Sequence, residues 1–412
     1  MNIDSGATAW VIVATALVLF MTPGLAFFYG GMVRRKNVLG MLMQNVFAMG
    51  LVSVVWAVVG FSLAFGGTNR WIGNLDFAFL KHIGTATSLP GYVGPLALVI
   101  PPILFMAYQM MFAVITPALI TGATADRMRF GAYAVLIGVW GVVVYPFVAH
   151  WVFSPSGWLF KLGALDFAGG AVVHINAGAA ALAVIIVLGV RRGWKHDSMP
   201  PHNLPFTVLG TGILWFGWVG FNAGSALAAN GVAAQAVVNT HLAAAAAMLS
   251  WLVVEKLVAG HATTLGAASG AVAGLVAITP CAGFVGGMSP IIIGFAAGVV
   301  CYSALKLKDT LRLDDSLDVI AVHLVGGLLG SLLLGLFAEK SVNAVGADGL
   351  FHGGGFALLG KQALACVVVS TFSFTITYVV ARVLDATMGL RVDDDAELMG
   401  LDQSQHAETA YQ

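Results

Sequence analysis

Long apolar runs broken by short polar segments make up the chain from Ala7 to Leu384. Most approach or exceed the roughly 20 residues that a helix needs to cross the hydrocarbon of a bilayer. Eleven are counted, near residues 7–31, 38–65, 95–122, 131–152, 168–190, 204–223, 235–256, 263–279, 289–305, 316–338 and 357–384. No segment alternates with the period of a strand, and an open sheet edge is not stable in lipid, so every run is predicted to be a helix. The first run lacks a basic leader and outlasts the apolar core of a secretory signal, so it reads as a span.

Composition strengthens this picture. With 59% hydrophobic and 9% charged residues in 412, the chain has too little charge to coat a soluble surface. The class is therefore an all-α integral membrane protein, with no room for a large soluble domain, no enzyme activity and no nucleic-acid partner expected. Net charge is zero, so the placement of the cations matters more than their sum. Fourteen of the 19 Lys and Arg residues fall in the odd-numbered breaks and the tail, among them Arg34, Arg35, Lys36, Arg191, Arg192, Lys306 and Arg312. The positive-inside bias puts those segments and the C-terminus in the cytoplasm and the N-terminus outside, which requires an odd number of spans. Cys281, Cys301 and Cys366 are scattered through apolar segments and read as small buried hydrophobes, so no disulfide, metal or cofactor is expected.

Two histidines stand in the middle of apolar runs. They read Ala171-Val-Val-His174-Ile-Asn-Ala-Gly178 and Ala321-Val-His323-Leu-Val-Gly-Gly327. An ionisable ring at membrane depth is costly unless it faces a cavity or a partner, so each is a functional candidate, and matched surroundings suggest one shared site. Asp166 precedes His174 by the interval that separates Asp315 from His323, and Gly178 and Gly327 follow at equal distance. Two successive five-span halves of opposite orientation would bring equivalent positions together near the midplane. If the rings meet edge to edge, one nitrogen of each shares a hydrogen bond and the others face a narrow lumen, suited to a permeant that both donates and accepts or that sheds a proton. The competing reading is two unrelated rings tied to backbone carbonyls.

Phe112 and Phe221 lie beside small or polar residues within spans, near Gln109, Asn222 and Ser225. Ring faces attract a cation where water is scarce, and paired rings make a constriction that a hydrated ion cannot pass intact. Ordinary packing is the alternative for any single Phe. Asp166 is predicted to cap the start of the fifth span by accepting backbone N–H groups, and its field could also favour a cation entering from outside. Asp126-Arg127 and Glu255-Lys256 read as surface charge or interhelical pairs at cytoplasmic helix ends. The polar, acidic tail after Leu384 reads as solvated.

The segments Phe28-Tyr-Gly-Gly31, Gly122-Ala-Thr-Ala-Asp-Arg127-Met-Arg-Phe130, Asp166-Phe-Ala-Gly-Gly-Ala-Val-Val-His174-Ile-Asn176, Gly217-Trp-Val-Gly-Phe221-Asn-Ala-Gly-Ser225, Asp314-Asp-Ser-Leu-Asp318 with His323, and Gly389-Leu-Arg-Val carry a family resemblance. Over essentially its whole length the chain resembles the Amt/Mep/Rh ammonium transporters, most closely the bacterial Amt branch. The resemblance implies eleven transmembrane helices, with two inverted five-helix repeats (about 7–190 and 204–338) and an eleventh span (357–384) around a central pore. Residues 1–384 would form the transport domain and 385–412 a cytoplasmic tail.

It further implies a homotrimer in the plasma membrane, with a pore in each protomer and a PII-type regulator acting through the tail. Ammonium would be bound outside by Phe112, Phe153, Ser225 and Trp218, gated by stacked Phe112 and Phe221, and passed as ammonia along the pore histidines His174 and His323. Asp166 would be the supporting acid. Phe153, in His150-Trp-Val-Phe153-Ser-Pro-Ser-Gly157, stands where many relatives carry Trp; it should hold a cation more weakly unless Trp151 or Trp158 compensates. An ammonium sensor, or a Rh-like channel for ammonia or carbon dioxide, is the alternative.

Overall fold

The computed structural model describes residues 3–84 and 88–411. Eleven apolar helices follow in order: α1 Ser5–Met32, α2 Arg35–Phe65, α3 Pro102–Thr124, α4 Phe130–Leu162, α5 Gly170–Leu188, α6 Leu204–Ala226, α7 Gly231–Ala259, α8 Thr264–Ile278, α9 Ser289–Thr310, α10 Ile320–Phe337 and α11 Ala357–Met388. Two short helices close the chain, α12 Asp394–Met399 and α13 Leu401–His406. Among the described residues there is no strand, only an isolated bridge between Met128 and Arg391.

Several helix starts are written in the local sequence. Asp4, Asn203, Asn230 and Thr263 accept the backbone N–H groups of Ala7, Phe206, Ala233 and Gly266, satisfying donors that the helix itself leaves free. Packing between helices follows the glycines. Gly210, Gly217 and Gly220 on α6 sit directly against the backbone or side chains of Phe28, Met21 and Leu17 on α1, where a Cβ would collide. Close approach of this kind supplies the contact energy that the hydrophobic effect does not provide between helices in lipid.

The backbone N–H of Asp4 bonds to Val99 in the break after α2. The tail instead meets Lys36 in the first turn of α2 and Arg192 in the break after α5. The two chain ends thus lie on opposite faces, as an odd number of crossings requires.

Three expectations change. The eighth helix has only 15 residues, shorter than a free-standing span. The chain continues beyond it as buried, irregular backbone, which lipid would not tolerate unless protein satisfied it. Asn239 does so in part, donating to the carbonyls of Ala282 (2.8 Å) and Val285 (2.6 Å).

The tail, expected to be solvated, is docked, and α11 runs four residues beyond the expected boundary at Leu384. Arg391 pairs with Glu397 at 2.6 Å, Glu397 also accepts the Arg192 N–H at 2.7 Å, and Asp402 accepts the Gly40 N–H at 2.8 Å. Acidic composition misled because the N–H groups of Arg192 and Gly40 that receive these acids lie far away in the sequence.

Of the two readings of Asp126 and Arg127, the structure keeps interhelical pairing and excludes surface charge; both are buried, at 2% and 0% exposure. Asp126 pairs with Arg34 (2.9 Å) and Arg191 (3.3 Å), and Arg191 reaches Asp314 at 2.8 Å. Arg127 donates to the Asp314 carbonyl (2.6 Å) and the Ser316 hydroxyl (2.7 Å), so one buried network ties α3, α5 and the approach to α10 together on the Arg-rich face.

Candidate functional site

The site begins at two matching helix starts. Asp166 accepts four N–H groups, those of Gly169 (2.9 Å) and Gly170 (2.7 Å) on Oδ1 and those of Ala171 (2.8 Å) and Val172 (3.2 Å) on Oδ2. This is the predicted cap, and it sets the first turn of α5. Asp315 does the same work for α10 with one bond, accepting the Ile320 N–H at 2.6 Å. Both helices then open with a π-helical stretch, Gly170–Ile175 and Ile320–Val325. Such wide turns break the regular register and recur at functional positions. Each carries one of the two histidines.

Glycine brings those turns together. A Cβ on Gly178 would lie 2.6 Å from Leu324, and one on Gly327 would lie 3.1 Å from the His174 Cβ, so α5 and α10 cross at a distance that larger residues would prevent. At the crossing the Nδ1 atoms of His174 and His323 are 3.2 Å apart, with ring planes inclined by 22°. Hydrogen-bond valence then constrains the pair. One Nδ1 carries the shared proton and the other accepts it, so in the neutral pair one ring presents an Nε2 lone pair and the other an Nε2–H. His174 Nε2 has no protein partner among the described residues.

Around the pair lies a narrow cavity of about 10 Å³, walled by Leu25, Phe28, Ile115, Leu119, Leu214 and Val272, with Trp218 and Phe221 also in its lining. The Phe221 ring lies 6.0 Å from His174 and 4.5 Å from Phe112, the two Phe rings tilted at 49°. The expected stacking is replaced by a tilted pair. Both rings are buried; Phe221 lines the cavity and Phe112 packs against it from outside the lining.

Beyond them Ser225 stands half-buried, its hydroxyl donating to the Phe221 carbonyl at 2.8 Å. Tyr108 completes this end: its hydroxyl lies 3.2 Å from Ser225 Oγ and its ring 4.9 Å from Phe112. Sequence reasoning passed over Tyr108, although it sits one turn before Phe112, where helical neighbours share a face.

One of the expected binding residues, Trp218, falls elsewhere. Trp218 lies in the cavity below the Phe pair, 5.5 Å from His174, with its indole N–H donated to Thr279 Oγ1 at 2.9 Å. Seven residues of helix separate it from Ser225, so it cannot share the outer position. Phe153 makes no ring contact among the described residues; its carbonyl accepts the Tyr92 hydroxyl at 3.3 Å. Trp151 has its N–H committed to the Trp71 carbonyl at 2.6 Å, and Trp158 packs between Trp71 and Trp151. Asp166 meets backbone rather than Ser225, so it acts through the start of α5.

A ring-lined column thus runs from Ser225 and Tyr108 through the Phe pair to the two imidazoles. The sequence profile of the Ammonium Transporter Family matches residues 9–411. The chain belongs to that family. Similar curated members include the ammonium transporter of Mycobacterium tuberculosis, 51% identical over 99% of this chain and 90% of the relative, and that of Bacillus subtilis, 47% identical over 99% and 98%. Among solved structures, Candida albicans Mep2 superposes with a TM-score of 0.90 at 36% identity, covering 100% of this chain and 91% of Mep2. A sensor Amt protein superposes with a TM-score of 0.88 at 32% identity, covering 98% of each chain. This member of the ammonium transporter family is a multi-pass membrane protein, and it is a transporter by kinship rather than an enzyme.

Proposed function

We propose that this chain moves ammonium across the plasma membrane through the column of rings that ends at His174 and His323. The observation carrying the proposal is the 3.2 Å Nδ1 contact between imidazoles from two separate helices, within a cavity lined by Phe221, which packs against Phe112. Moving a bare charge into such a constriction is costly. Ser225 and Tyr108 offer hydroxyl oxygens, and the Phe112 face offers its quadrupole, to a cation that is shedding water. Ammonium gives up its proton at the Phe pair, either back to the water outside or to the free Nε2 of the imidazole pair, and the ammonia that results can donate and accept, matching the one acceptor and one donor of that pair. Charge moves only if the proton follows by way of the pair.

The positive-inside bias assigns the Arg-rich face, with the tail, to the cytoplasm and Ser225 to the outside. The matched Asp166/His174 and Asp315/His323 sets support two inverted repeats, about 7–190 and 204–338, within a transport domain ending at the close of α11. Family resemblance adds a homotrimer with one lumen per protomer and a PII-type regulator meeting the tail.

Growth of an uptake-deficient strain on low ammonium, with methylammonium uptake as readout, tests the proposal. Rescue is expected; binding of ammonium without any flux would overturn it in favour of a sensor. In liposomes, ammonium-evoked current marks a proton relay, and uptake without current marks a gas channel.

The gate makes its own prediction. Phe112 offers its face to the cation and Phe221 touches both Phe112 and His174, so Phe112→Ala should lower methylammonium uptake by roughly thirtyfold, the ~2 kcal/mol of one desolvated cation–π contact, and Phe221→Ala should lower it as well. Equal uptake by both variants and the parent would remove the rings from the pathway.

A further inference from the structure

Leu165, the residue before Asp166, lies in the irregular backbone between α4 and α5, where no helix supplies partners for its peptide groups. Gln362 of α11 takes both of them. Its Oε1 accepts the Leu165 N–H at 2.7 Å and its Nε2 donates to the Leu165 carbonyl at 2.7 Å. One carboxamide thus pairs with one residue the way a neighbouring strand would. The same Nε2 also reaches the Ser331 carbonyl of α10 at 3.2 Å, and the Gln362 side chain is buried.

A second bond from α11 fixes the other end of the same stretch. Ser373 donates to the Asn176 carbonyl at 2.8 Å, just after the wide turn that carries His174. Leu165 and Asn176 are eleven residues apart, and so are Gln362 and Ser373, so α11 runs beside the segment in register, with one hold before Asp166 and one after His174. The N–H of Phe167 bonds to the Pro280 carbonyl at 3.1 Å. The peptides on both sides of Asp166 are thereby fixed, and a side chain with two staggered torsions then has little room to miss the four N–H groups it caps. The acid on the Arg-rich face is set by a similar device. Arg127 donates to the Asp314 carbonyl, in the peptide entering Asp315, at 2.6 Å.

We propose that Gln362 is a positioning residue for transport: by clamping the Leu165 peptide it aims Asp166 at the start of α5 and so sets His174 against His323, with α11 as a splint along α5. The inference deepens the transport reading above and rests on it. Gln362 is not in the lining of the imidazole cavity, so its effect passes through Asp166 and the wide turn. Ser225 and Tyr108 are held by the Phe221 carbonyl and by each other, so the outer end of the column does not depend on the clamp. A glutamine that only stabilised the fold would lower Tm and leave transport per folded protomer alone.

The test compares the full-length parent with Gln362→Met, Ser373→Ala and Thr377→Val in liposomes, following methylammonium uptake and potassium permeation per folded protomer, with Tm measured in detergent. Gln362→Met keeps the length of the side chain and loses the amide. Its maximal uptake rate should fall by about tenfold or more, the scale for a reactive geometry displaced by ~1 Å, with KM near the parental value and discrimination against potassium reduced. Ser373→Ala removes one bond and should move the same readouts by less; it carries the test if Gln362→Met does not fold. Thr377→Val takes the acceptor from the Trp140 indole one turn further along α11 and should lower Tm only. Parental rate and selectivity in Gln362→Met, or in Ser373→Ala should the first not fold, would overturn the proposal, and so would an equal transport loss in Thr377→Val. An inactive parent would instead sink the transport reading, and the proposal with it.

Discussion

Asp166→Ala is expected to abolish transport and to lower stability by roughly 3 kcal/mol or more, since four N–H groups at the start of α5 lose their acceptor together. Their geometry fixes the wide turn that carries His174, so the imidazole contact should loosen with it. Asp166→Asn keeps one acceptor oxygen and removes the charge. It should therefore fold with a smaller loss in Tm, and its uptake separates the electrostatic contribution of the carboxylate from its role as a cap. Uptake and Tm of both variants in the same liposome preparation are the measurements. Unchanged values for Asp166→Ala would show that the cap neither orders the turn nor supports the site.

The second large effect is expected on the opposite face. Asp314 receives Arg191 Nη2 at 2.8 Å and lies near Arg127, whose side chain is fully buried. Asp314→Asn removes the carboxylate that faces both guanidinium groups, leaving Asp126 as the remaining acid beside Arg191, and should cost about 3 kcal/mol, the lower end of the penalty for removing one partner of a buried pair. The same pair gives a pH dependence. Burial alone would raise the Asp314 pKa, but the hydrogen bonds from Arg191 and the charge of Arg127 outweigh it and hold the carboxyl below its ordinary value. A carboxyl depressed in the folded state stabilises the protein above the unfolded value, about 4, and that stability is lost as pH falls through the folded value. Tm should therefore drop on acidification below about pH 4, and Asp314→Asn should flatten that branch while lowering the plateau. An identical acid branch in the variant would assign the dependence to other carboxyls.

Much of the molecule could be read from the residues because the signals were local or rare. A histidine inside an apolar run, an Asp at a fixed interval before it and a Gly just after it each have few interpretations in lipid, and all three come together at the crossing of α5 and α10. What escaped depends on partners distant in sequence. Tyr108 looks like any aromatic until Ser225 and the Phe221 carbonyl arrive beside it from α6. Asp126 and Arg127 leave surface charge and interhelical pairing equally open because their counterparts, Arg34, Arg191 and Asp314, lie on other segments. The tail seemed solvated because composition does not register that Lys36, Arg192 and Arg391 converge on the carboxylate and carbonyl of Glu397. Trp218 was placed with Ser225 by motif proximity, whereas seven residues of helix carry it about 10 Å down the axis, into the lumen.

The central claim is that two imidazoles converge in one conduit and that ammonium nitrogen passes along it. Methylammonium uptake into liposomes holding either the parent chain or the His174→Ala/His323→Ala double variant, with potassium permeation followed in parallel, tests it most directly. The account predicts that the variant folds with unchanged oligomeric state and loses either uptake or the discrimination against potassium. A folded variant with parental uptake and parental selectivity would contradict it.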